Sequence, residues 1–179
     1  MPPPDALPDA VPLAARVLAA LTAAGGTVAV AESLTGGAVL ATLVAVPGAS
    51  AALRGGVLAY APDLTATLLG VPADLLAGRG AVDPDVARAM AAGVRERLDA
   101  DGGLDTTGVA GPDPQDGRPP GTFHVAVVGP GVSEVLSVEP EPGAAPGRAE
   151  VRAAAGYAVL ALLERVLGNN GAASRVAQA

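Results

Sequence analysis

The sequence predicts an α/β protein: a three-layer α/β/α sandwich built on a mixed, mostly parallel sheet of about five strands. Three observations predict it. Short apolar or β-branched runs alternate with segments of helical period from residue 11 to residue 167, and such alternation places helices on both faces of a largely parallel sheet. Two late runs are separated only by Gly129-Pro130-Gly131, which reads as a β-hairpin and adds antiparallel pairing. The chain has 179 residues, 50% of them hydrophobic, which suits one domain with a sizeable core and no second. No internal repeat is visible.

Residues 1–10 (M-P-P-P-D-A-L-P-D-A) read as a flexible Pro-rich arm, 11–168 as the single domain, and 169–179 as a flexible tail of small and polar residues. In 11–24, Leu13, Val17 and Leu21 recur every fourth residue with Arg16 between them, an amphipathic helix that Gly25-Gly26 ends. Residues 27–32 (T-V-A-V-A-E) predict a buried strand, and 36–46 an apolar helix stopped by Pro47-Gly48. G-G-V-L-A-Y at 55–60 predicts a second strand, followed by a short helix to Gly70. The next helix has the clearest start: Asp83 as N-cap, Pro84 as first helical residue, then Val86, Met90, Val94 and Leu98 as an apolar stripe. Residues 104–109 suit a third strand, and the Pro- and Gly-rich 110–121 a long loop. F-H-V-A-V-V and V-S-E-V-L-S-V-E form the hairpin, and 148–167 the last helix, ending at Gly168.

Composition excludes several classes of function. The net charge is −7, and Phe123, Tyr60 and Tyr157 are the only aromatic residues. A nucleic-acid binder needs a basic patch, and single strands need stacking platforms. The absence of Cys excludes disulfides, thiol catalysis and zinc–thiolate sites. The start has no charged signal-peptide head, and no apolar run is long enough to cross a bilayer. A cytoplasmic protein without membrane contact is the expectation. All basic residues are Arg; the chain contains no Lys.

Sites in open α/β sheets form beyond the carboxyl ends of the strands. Glu32–Gly37, Tyr60–Thr65 and Thr106–Gly121 all fall at such ends. Ser33 reads either as a helix N-cap or as a nucleophile. Gly36 and Gly37 would let a ligand reach backbone N–H groups at a helix start, where the dipole favours an anion. Without Lys and with different spacing this is not a Walker loop. Tyr60 reads as packing or catalysis, and Asp113 and Asp116 as turn residues rather than metal ligands. His124, the only imidazole, reads as a buried structural residue. Arg148 and Arg152, one turn apart, read as a solvated face or a phosphate-binding pair.

A-E-S-L-T-G-G, V-P-G-A-S, G-G-V-L-A-Y, L-L-G-V, G-A-V-D, T-G-V-A-G-P-D, G-T-F-H-V and R-A-E-V-R occur in this order. Together they resemble the CinA C-terminal domain family, whose enzymatic members are PncC-type nicotinamide-nucleotide amidohydrolases. The resemblance covers about residues 11–167. It implies hydrolysis of nicotinamide mononucleotide to nicotinic acid mononucleotide and ammonia, with no metal and no organic cofactor. It also implies a homodimer or larger homo-oligomer.

The family's catalytic serine and tyrosine match Ser33 and Tyr60. Its lysine, five positions beyond the tyrosine, is replaced here by Thr65. Glu32, Thr35, Gly36, Gly37, Thr107, Gly108, Gly111 and Arg148 are the expected substrate-binding set. Threonine cannot accept a proton near neutral pH and Arg is permanently charged, so Ser33 lacks the usual base. A second expectation follows: a catalytically weak paralogue that acts as a nucleotide-binding or protein-interaction module.

Overall fold

Residues 7–176 are described by the computed structural model. Helix α1 (Val11–Ala24) leads into strand β1 (Val28–Glu32), α2 (Ala38–Val44) and β2 (Leu53–Leu58). Helices α3 (Pro62–Leu69), α4 (Ala73–Arg79) and α5 (Pro84–Arg97) precede β3 (Gly102–Gly108). The hairpin β4 (Phe123–Gly129) and β5 (Val132–Val138) is followed by α6 (Arg148–Val176). The sheet order is β2-β1-β3-β4-β5. β1 pairs in parallel with β2 and β3, while β3–β4 and β4–β5 are antiparallel.

The two faces of β1 explain the layering. Val28 and Val30 point into one core with α1, α2 and α6, whereas Ala29 and Ala31 point into the other with α5. Every residue of β1 is buried, as a strand flanked on both sides and covered on both faces requires. The alanines leave room for α5 to lie low, and glycines extend this. A Cβ at Gly103 would stand 1.9 Å from the Ala91 carbonyl, and one at Gly93 1.9 Å from that of Leu69.

Four expectations need correction. Ala10 is buried, the Leu7 N–H donates to Thr42 Oγ1 at 2.9 Å, and Leu7 packs against Gly156. The end of the expected arm is therefore part of the domain; residues 1–6 lie outside the described residues. β2 begins at Leu53, because the pairing with Val28 starts there. α4 was not expected: seven residues with no fully buried side chain show no apolar stripe. α6 passes through Gly168 to Val176, since one exposed Gly weakens a helix by about 1 kcal/mol but does not end it; residues 177–179 of the expected tail lie outside the described residues.

The join of β1 to α2 rests on Glu32, whose carboxylate is fully buried. It accepts from the N–H groups of Gly37 (2.9 Å), Val39 (3.2 Å) and Leu40 (2.8 Å), and from Thr35 Oγ1 (2.6 Å). With that proton used, the 2.6 Å contact of Thr35 Oγ1 with Thr106 Oγ1 makes Thr106 the donor. A buried charge is tolerated where donors and a helix dipole surround it. Glu32→Ala strands three N–H groups and is expected to cost about 3 kcal/mol or more, read as a lower urea midpoint. Glu32→Gln, which keeps one acceptor, should cost less. An unchanged midpoint for Glu32→Ala would show that the cap is dispensable.

Candidate functional site

At the carboxyl ends of β1, β2 and β3 the chain encloses a polar hollow of about 280 Å³. Ser33 enters it from the end of β1, Tyr60 from the end of β2, and Thr107, Gly108 and Gly111 from β3 and its loop. Thr65 of α3, Met90 of α5 and Arg148 at the start of α6 complete the wall. A larger cavity of about 600 Å³ lies at the other end of the sheet, between α1 and α6, walled largely by apolar side chains such as Leu21, Val28, Leu104 and Leu163. The hydroxyl groups collect in the first.

Ser33 is the first residue beyond β1, and its N–H continues the sheet by donating to the Thr106 carbonyl at 3.0 Å. A turn closed by the Gly36 N–H on the Ser33 carbonyl (3.2 Å) follows. Ser33 is thus not the N-cap of α2, which is Gly37. Tyr60 is 61% exposed and stands two residues past β2 rather than inside it. Its Oη accepts from Arg148 Nη2 at 3.0 Å, and Arg148 Nη1 donates to the Gly111 carbonyl at 2.9 Å. One guanidinium thereby ties the phenol to the 110–121 loop. Thr65 is buried against the hollow, and Thr107 Oγ1 donates to the Ala81 carbonyl at 2.8 Å.

The loop is anchored rather than free. Asp116 Oδ2 accepts from the Ala81 N–H at 2.9 Å, and Gly121 and Val109 exchange bonds with Val109 and Thr122 carbonyls at 2.9 and 2.8 Å. Among the described residues no group of three or more His, Asp or Glu side chains is placed to hold a metal ion.

Glu32, Thr35, Gly36 and Gly37 take another place from the one expected. None lines the hollow. The N–H of Gly37 is taken by Glu32 and that of Gly36 by Ser33, so the expected anion site at the start of α2 is filled by the protein's own carboxylate. Arg152 does not pair with Arg148 for phosphate: its Nε and Nη2 donate to the Thr35 carbonyl at 3.2 and 2.7 Å.

His124 is buried, as expected, with Nδ1 2.8 Å from Ser137 Oγ and no partner for Nε2. Burial holds its pKa below the usual imidazole value, with Arg118 adding. The residue that sequence reading passed over is Asp105. It is fully buried, and neither carboxylate oxygen has a partner within the protein. Burial pushes its pKa well above the usual carboxylate range, the Thr106 N–H opposes this, and the charge of Glu32 adds to it. The available signal was an acid inside the otherwise uncharged strand G-G-L-D-T-T-G.

Residues 10–167 match the family described as the CinA C-terminal domain. A CinA-like protein of Frankia casuarinae is 49% identical over 152 residues, covering 84% of this chain and 34% of its own length. A CinA-like protein of Gloeobacter violaceus is 48% identical over 158 residues, 88% of this chain and 37% of its own. The chain thus spans about a third of the length of these curated relatives. Among solved structures, a CinA superfamily protein from Klebsiella pneumoniae superposes with a TM-score of 0.83 at 30% identity, covering 89% of this chain and 98% of its own. The competence/damage inducible protein CihA of Agrobacterium tumefaciens gives 0.80 at 32%, covering 94% and 98%. Sequence and fold agree: the chain belongs to the CinA C-terminal domain family.

Proposed function

We propose that the hollow is the active site of an amidohydrolase that converts nicotinamide mononucleotide and water to nicotinic acid mononucleotide and ammonia. The observation that carries this reading is the meeting of Ser33 and Tyr60 in one hollow, with a fixed cation on the phenol. A volume near 280 Å³ is at the lower end of small-ligand cavities, about 300 Å³ and above. Ser33 Oγ attacks the carboxamide carbon, and Tyr60 hands protons across the site. Arg148, at the exposed rim, faces the ligand's phosphate, a role that suits a fixed-charge fork. Ammonia leaves, and water releases the acid from the acyl-serine. Support for a homodimer or larger homo-oligomer comes from exposed apolar side chains, Leu58 on the edge strand β2 and Leu64 and Leu68 on α3.

A second reading, a binding module of low turnover, is favoured by one observation. Thr65 occupies the position where the resemblance implies a lysine, and the chain holds no other. Loss of a general base costs ~10²–10⁴ in rate.

Ammonia release from nicotinamide mononucleotide separates the two. Turnover is expected to be slow in the wild type and to fall to background in Ser33→Ala. Calorimetric binding of the nucleotide without any ammonia release would instead establish the module.

Thr65→Lys places an amine in a wall already made of Ser33, Tyr60 and Met90. It is expected to raise kcat, by as much as ~10²–10⁴, with little change in KM. A folded Thr65→Lys protein that binds nucleotide and turns over no faster would show that position 65 is not where the missing base belongs.

A further inference from the structure

Ser33 needs a proton acceptor, and the obvious groups are committed elsewhere. Glu32 is consumed by α2, His124 is held on Ser137 of the hairpin through Nδ1, and Thr65 is no base. Asp113, the acid that lines the hollow, lies exposed on the 110–121 loop, where water keeps a carboxylate a weak base; within the sheet there is a buried carboxylate with no partner. Buried polar groups in folded proteins almost always have partners, so an orphan calls for an explanation.

The position of Asp105 follows from the register. Ala31 of β1 is paired with Asp105 of β3, and Glu32 with Thr106. The Ser33 N–H on the Thr106 carbonyl carries this pairing one step further, setting Ser33 beside Thr107. Alternation then puts Ala31, Ser33, Asp105 and Thr107 on the same face of the sheet, the face covered by α5. Asp105 is one pleat beneath the Ser33–Thr107 pair, about 7 Å along the strand. Its lateral neighbours in the sheet are Ala31 and Ala126. Alanine on both sides gives the carboxylate no side-chain partner in the sheet; one water making two bonds of about 2.8 Å would be needed to link it to the Ser33 hydroxyl.

We propose that Asp105 is the proton acceptor for Ser33, reached through a single bridging water, and that it stands in for the amine this chain lacks. The inference rests on the amidohydrolase reading for its substrate, but not for its chemistry at Ser33. In acylation the Ser33 Oγ–carbon bond forms while the hydroxyl proton passes through the water to the Asp105 carboxylate. The proton returns to the nitrogen as the C–N bond breaks and ammonia leaves. In deacylation a water molecule gives a proton to the same carboxylate and its oxygen adds to the ester carbon. That proton goes back to Ser33 Oγ as the ester bond breaks. Amide and water become acid and ammonia, and the protein is unchanged.

Charge around Asp105 sets the pH at which this works. From β1 the nearest charge is Glu32, on the opposite face of the sheet, which disfavours ionisation of Asp105. From β4 the nearest titratable group is His124, paired with Thr107 on the α5 side, bound to Ser137 and favoured in its neutral form by burial. From α5, the packed residues Ala87, Met90 and Ala91 carry no charge. Asp83, Asp85 and Arg88 are engaged at the start of that helix, and Arg95 at its far end on the Asp101 carbonyl. Burial therefore dominates, and the carboxyl is held neutral well above the usual carboxylate range. The basic form fills as pH rises.

The test reads Ser33 directly. A fluorophosphonate probe phosphonylates an activated serine and needs no nucleotide. Its labelling rate at Ser33, followed by peptide mass spectrometry, is expected to rise with pH through one ionisation and then level off. Asp105→Asn and Asp105→Ala, the second matching its alanine neighbours, should each lower the plateau ~10²–10⁴-fold and abolish the ionisation. Stability supplies an independent signature. A raised folded-state pKa stabilises below the ordinary carboxylate range, and that stability is lost as pH rises through the folded value. Both variants should thus gain Tm relative to wild type as pH is raised from 4 to 9. Wild-type labelling that is absent, flat, or rising without a plateau would overturn the proposal, as would folded variants with the wild-type rate and profile. Asp105-dependent labelling without ammonia from nicotinamide mononucleotide would uphold it and overturn the substrate reading instead.

Discussion

The buried carboxylate of Glu32 is the constraint on which the site depends. It closes β1, takes three N–H groups at the start of α2, and receives the hydroxyl of Thr35. Those bonds fix the turn 33–37, and the turn fixes where Ser33 emerges. Arg152 grips the same turn from α6 through the Thr35 carbonyl. Thr106 locks it to β3. A serine presented by a turn so held has little freedom, and orientation is a large part of what a nucleophile needs. The same arrangement removes the helix dipole of α2 from service. A dipole that already faces a carboxylate does not attract a phosphate, so the phosphate recognition proposed above falls to Arg148 at the rim.

A second constraint works from the opposite face. The core holds almost no aromatic residues, and it gains density by close approach instead of by large side chains. α5 sits against β3 at Gly103 and against the end of α3 at Gly93. Ala29 and Ala31 continue this thin layer in β1, and Met90 of the same helix reaches the hollow. The helix that packs the core is therefore also a wall of the site. Substitutions in the stripe Val86–Met90–Val94 act on both.

Much of this was legible in the sequence, and the parts that were not share a cause. Helix periods, the Asp83–Pro84 start and the Gly129-Pro130-Gly131 hairpin are local signals, and Asp83 Oδ1 accepts from the Asp85 N–H at 2.8 Å. The gathering of Ser33, Tyr60, Thr65 and Thr107 follows from strand ends and topology. Sequence alone puts Glu32 among the ligand contacts, because polarity at a strand end looks the same whether it turns outward or inward. Only the three-dimensional count of donors tells them apart. Asp105 escaped for the same reason: one acid in a strand carries no sign of whether its neighbours across the sheet are partners or alanines. α4 escaped because seven residues without a buried face have no period to read.

The cations complete the argument about chemistry. In a chain without lysine, every described arginine side chain is engaged by a carboxylate, a carbonyl or a phenol. Arginine serves well in that work, since a planar fork with a permanent charge holds two acceptors at once. It cannot shuttle a proton. A site that hydrolyses an amide needs one group able to lose and regain a proton near its working pH. In a structure whose described cations are engaged, an acid whose affinity for its proton has been raised can fill that role on the proposed reading. Burial without partners raises it, and in doing so weakens the fold. On the amidohydrolase reading proposed above, an orphaned carboxylate beneath Ser33 is the arrangement that a site forgoing lysine would keep.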